Sequence, residues 1–131
     1  EGQRVTLLSK NRAHWVMAGM AVIHSGNVTV PLFTTHATGT AEYILDFTDT
    51  KLLFLGQTEN WEGVKSVLPA DCMIVTLPGV DCELPHKAWA ELVATAPADA
   101  PPQLMLRHIN QIVTTSCLWY LPLGQPAYPR A

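Results

Sequence analysis

Two runs constrain this chain more than anything else in it: "KLLFLG" (51–56) and "CMIVTLP" (72–78). The second reads as a strand, and the first is a continuous apolar run. A strand reads this way when both of its faces are covered, which is the condition of a parallel sheet with helices above and below. The segments between them agree. "RVTLLS" (4–9) and "NVTVPLF" (27–33) are rich in Val, Thr and Leu and read as two further strands, with Pro31 marking the end of the second.

Helical patterns fill the intervals. "RAHWVMAGMAVIHS" (12–25) is preceded by Asn11, a capping residue type, and followed by Gly26, suited to the left-handed turn that stops a helix. Trp15, Val16, Met17, Met20, Val22 and Ile23 leave it little polar face, so burial on more than one side is expected, with Gly19 allowing a close neighbour. "TAEYILDFTD" (40–49) places Tyr43, Ile44 and Phe47 at helical spacing behind Thr40 as N-cap. "ENWEGVKSVL" (59–68) puts Trp61, Val64 and Leu68 on one side, and "PHKAWAELVAT" (85–95) carries Pro85 near its first turn. The order β-α-β-α-β-α-β-α with short links implies right-handed crossovers. The expected fold class is α/β: an open, mostly parallel sheet with flanking helices.

Composition enters where it excludes functions. Charged residues are 15% of the 131, low for a surface wholly in water, which fits a subdomain partly covered by other protein. The net charge of −3 comes with no basic stripe, which argues against nucleic acid. No apolar run reaches the 18–20 residues or so of a membrane span. Cys72, Cys82 and Cys117 are odd in number and irregular in spacing, which argues against a disulfide framework and for a reducing compartment. The opening "EGQRVTLLSK" lacks the pattern of a signal peptide and an initiator Met, so the chain is expected to begin inside a longer one.

No residue stands out as catalytic, cofactor-binding or metal-ligating. His14, His24, His36, His86 and His108 form neither HxxxH nor HExxH. Cys72, Cys82 and His86 match no common zinc spacing and read as core cysteines beside a helix-start histidine. His24 and Ser25 in "HSGN" read as a helix end and its turn, and no GxSxG elbow is present. Asp46 and Asp49 read as a solvated helix terminus. The loop "TTHATGT" (34–40) follows a strand and precedes a helix, where α/β proteins hold ligands. Its hydroxyls and Gly39 suit a polar ligand, although it is neither GxGxxG nor a Walker loop. Trp15, Trp61 and Trp89 read as packing.

Taken together, "SKNRAHW" (9–15), "SGNVTVPLF" (25–33), "AEYILDFTDTKLLFLG" (41–56) and "VTLPG" (75–79) resemble the N-terminal region of AMP-forming acyl-CoA ligases. "NWEGVKSVLP" (60–69) is most similar to bacterial long-chain fatty acid–CoA ligases. The resemblance covers residues 1–97, which it assigns to part of the large α/β domain of adenylate-forming enzymes. It implies a family that activates a fatty acid with MgATP to an acyl-adenylate and passes the acyl group to CoA. It also implies a cytoplasmic protein, or one held at the membrane surface. The family's Ser/Thr/Gly-rich phosphate loop ending in Pro-Lys-Gly, due near residue 100, is missing, as are the later motifs. This chain alone is therefore expected to be inactive and to bind no cofactor.

Residues 98–131 differ from the body. "APADAPPQ" (96–103) reads as a linker. Beyond it there is no Asp or Glu, and 101–131 hold five of the ten prolines. Back-translate "WYLPLGQPAYPRA" (119–131) with every allowed codon and read from the third base of each. The result permits Val, one variable residue, then Thr-Ser-Gly-Thr-Thr-Gly-Leu-Pro-Lys-Gly, the missing signature at its expected place. A reading-frame shift between about Ala96 and Asn110 is inferred, leaving an irregular tail with no reason to pack, in which "LMLRHINQIV" (104–113) is a candidate helix or an aggregation-prone segment. The competing reading is a non-enzymatic α/β module that binds a small ligand or partner through loop ends near Thr34–Thr40 and Gly56–Glu59. A flavodoxin-like or receiver domain fits less well: the first strand is followed by neither an acidic cluster nor a phosphate-binding turn, and a fifth βα unit is lacking.

Overall fold

A computed structural model describes residues 2–95. The expectations for the linker, the tail and the frame change lie outside the described residues. The elements run β1 (Arg4–Leu8), α1 (Ala13–His24), β2 (Val28–Leu32), α2 (Thr38–Thr48), β3 (Leu52–Leu55), α3 (Trp61–Ser66), β4 (Met73–Thr76), β5 (His86–Ala88) and α4 (Trp89–Thr95). The five strands form one sheet in the order β2-β1-β3-β4-β5, and every pairing is parallel. This is the open α/β architecture expected from the apolar runs.

Alternation within those runs shows why they had to be apolar throughout. In β3, Leu53 and Leu55 enter one core and Phe54 the other; in β4, Ile74 and Val75 divide the same way. One face carries Leu8, Leu32, Leu53, Leu55 and Ile74 under Ala41 and Leu45 of α2 and Val64 of α3. The opposite face carries Val5, Leu7, Phe54, Val75 and Leu77 under Ala18 and Val22 of α1, with Trp89 and Leu92 of α4 at its margin. Right-handed crossovers explain the division: the chain leaves β1 in one direction to reach β2 and returns past β1 to reach β3, so α1 and α2 lie on opposite faces.

A hydroxyl chain locks α2 to the sheet. Thr48 Oγ1 donates to the Ile44 carbonyl at 2.7 Å, and Thr50 Oγ1 lies 2.7 Å from both Thr48 Oγ1 and Thr6 Oγ1. Each hydroxyl has one proton to give, so the direction follows: Thr6 donates to Thr50, Thr50 to Thr48, and Thr48 to the backbone. Thr6 and Thr50 have no exposed surface, and this arrangement leaves none of the three hydroxyls unsatisfied.

Four sequence expectations need correction. Residues 85–95 are not one helix. His86–Ala88 form β5 against Ile74–Thr76, and the helix starts at Trp89. "HKA" has little strand preference of its own; the open backbone edge of β4 decides its state. Helix α1 is not buried on several sides, since Val16, Met17 and Met20 are about half exposed and only Ala18 and Val22 are buried. Asn11 and Thr40 are not the caps: the N-cap positions of α1 and α2 fall on Arg12 and Ala37, neither of which makes a side-chain cap bond. A Cβ at Gly19 would meet Leu7 Cδ1 at 3.5 Å, an ordinary contact, so no close approach is required there. Gly26 does end α1 as expected, at φ 75°.

Candidate functional site

Open parallel sheets offer ligands a crevice beyond the carboxyl ends of the strands, at the point where the chain reverses direction across the sheet. Here that point lies between β1 and β3, and it is closed. Gly56 N–H donates to the Leu8 carbonyl at 2.8 Å and Lys10 N–H to the Gln57 carbonyl at 2.8 Å, so pairing continues past both strand ends. The buried Ser9 side chain lies where a Cβ on residue 56 would be, and only glycine fits. Lys10 Nζ pairs with Glu59 at 3.0 Å over the top, and Arg12 Nη2 donates to the Pro78 carbonyl at 2.8 Å, tying the start of α1 to the loop after β4.

The two loops singled out in the sequence are brought together. Asn60 Nδ2 donates to the His36 carbonyl at 2.9 Å, and Thr58 Oγ1 to the Thr34 carbonyl at 3.5 Å. Gly63 of α3 lies against the Thr38 hydroxyl and the Asn60 amide, which leaves no room for a side chain. Burial depresses the His36 imidazole below its ordinary 6.5, favouring its neutral form. The side chains here therefore fasten loop to loop. A shallow depression of about 220 Å³ adjoins them, lined by Gly56, Gln57, Thr58, Trp61, Gly79 and Asp81 among others.

The remaining candidates make the following contacts. Among the described residues, no three His, Cys, Asp or Glu side chains gather as a metal site. Burial pushes the Cys72 thiol up to about 11, so it stays protonated and unreactive at neutral pH. His86 Nδ1 is 2.9 Å from the Leu84 carbonyl. Ser25 Oγ donates to the Val22 carbonyl at the end of α1. Asp49 terminates α2 in the left-handed conformation and pairs with Lys51 at 2.9 Å. Trp89 meets Phe54 and His14 edge to face, and Trp61 Nε1 donates to Glu83 at 3.2 Å.

What the sequence reading missed is a trough of about 780 Å³ along the outer edge of β2. Its floor is Val28 through Thr34, with Trp15 of α1 on one side and Tyr43, Ile44 and Phe47 of α2 on the other. Tyr43 and Phe47 stack at 5.9 Å and are 68% and 74% exposed. Helical spacing signalled that they share a face. It could not tell that this face lies beyond the last strand.

The described residues thus form an all-parallel α/β layer with a closed reversal point and an uncovered apolar flank along β2. Residues 1–116 match the family described as AMP-binding enzyme, and the chain belongs to that family. It is 34% identical over 97 residues to 3-[(3aS,4S,7aS)-7a-methyl-1,5-dioxo-octahydro-1H-inden-4-yl]propanoyl:CoA ligase of Mycobacterium tuberculosis, covering 70% of this chain and 18% of that protein. It is 30% identical over 94 residues to Long chain acyl-CoA synthetase 1 of Arabidopsis thaliana, covering 66% of this chain and 14% of that protein. The chain thus spans less than a fifth of the length of these curated relatives. The crystal structure of IdnL7 shares its fold at a TM-score of 0.62 and 17% identity, over 79% of this chain and 21% of that one. Among the described residues, no helix is long and apolar enough to cross a membrane.

Proposed function

We propose that this chain is an early sheet-and-helix section of a fatty acid–CoA ligase, and that by itself it supports the fold of the parent enzyme without performing its chemistry. The observation that carries the reading is the family match over residues 1–116, together with two relatives named for joining a carboxylic acid to CoA. A long-chain acid is the favoured substrate of the parent. The plant relative is named for long-chain acyl groups, and residues 60–69 resemble bacterial long-chain members. In the parent, MgATP would convert the acid to an acyl-adenylate, and the acyl group would then pass to CoA.

The proposed lack of activity rests on chemistry. Adenylation needs preorganised donors on the triphosphate and on the developing pentavalent phosphorus. The closed Ser9–Gly56 junction offers none, and residues 1–131 contain no Ser/Thr/Gly loop ending in Pro-Lys-Gly. ATP–pyrophosphate exchange with palmitate tests this: the expected rate is background, and robust exchange would refute the reading. The frame change proposed for the tail has a separate test. The nucleotide sequence beneath residues 119–131 should spell the phosphate-loop signature in a second frame; if it does not, the frame change is wrong and the family assignment is untouched.

A further inference from the structure

We draw no further inference here: the strongest candidate, the apolar trough along the outer edge of β2 flanked by Trp15 and the stacked Tyr43 and Phe47, carries nothing because nothing in the structure shows what covers it.

Discussion

Gly56→Ala is the most informative single change, because the geometry specifies its cost. The backbone at this point cannot give way easily: Gly56 N–H is bonded to the Leu8 carbonyl at 2.8 Å, and Leu77 N–H to the Leu55 carbonyl at 2.8 Å. A Cβ on residue 56 would overlap Ser9 Oγ and Ser9 Cβ and press on Leu77 Cδ1 at 3.2 Å. Rotating the Ser9 hydroxyl relieves the first overlap but not the second, since Cβ is fixed to the backbone. The strands must therefore separate. Overpacking of this kind costs 1–3 kcal/mol, and a rigid obstacle puts this site at about 3 kcal/mol. For a domain near 100 residues that lowers Tm by about 12–20 °C. Urea titration followed by tryptophan fluorescence measures it. Ser9→Gly alone should cost about 1 kcal/mol through backbone freedom and the lost bond to the Lys10 carbonyl. In the Ser9→Gly background, Gly56→Ala should be nearly neutral, a coupling of at least about 1.5 kcal/mol. A loss below about 1 kcal/mol, or one equally large with glycine at position 9, would show that the junction is not the tight point described.

Other outcomes follow from the same structure. Thr50→Val keeps the shape but removes the middle of the Thr6–Thr50–Thr48 chain and should cost about 1–3 kcal/mol in urea unfolding, because two buried hydroxyls lose a partner. Leu45→Ala, fully buried between α2 and the sheet, should cost about 2–5 kcal/mol by the same measurement. Lys65, bonded at 2.8 Å, holds the Glu83 carboxyl at about 2, below its ordinary 4.5. The unfolded chain binds the extra proton between those values, so the stability lent by Glu83 is complete above pH 4.5 and is lost as pH falls toward 2. Melting temperature against pH should therefore fall less steeply below pH 4.5 in Glu83→Gln than in the wild type. His36 acts in a higher window with the same sign: its depressed value means that stability declines as pH drops below 6.5, and His36→Gln should remove that part of the slope.

The sequence alone determined the layer architecture, because covalent pattern suffices for it. A run such as Leu52–Leu55 cannot be apolar at every position unless both faces are covered, and helices spaced between such runs force parallel strands. Family membership was legible in segments such as "SKNRAHW", which joins β1 to α1, and "SGNVTVPLF", which contains β2. Tertiary structure decided what depends on neighbours outside the local pattern. His86–Ala88 became a strand because β4 presented an unpaired edge, and a three-residue polar segment has no preference strong enough to resist. Tyr43 and Phe47 carry the spacing of a shared helix face, yet that face lies along the edge strand β2 and they remain exposed. Periodicity reports that side chains share a direction; only the placement of β2 at the edge decides whether protein or water lies that way. The same holds for Ser9 and Gly56, 47 residues apart in the chain, whose contact exists only once β1 and β3 are paired in register.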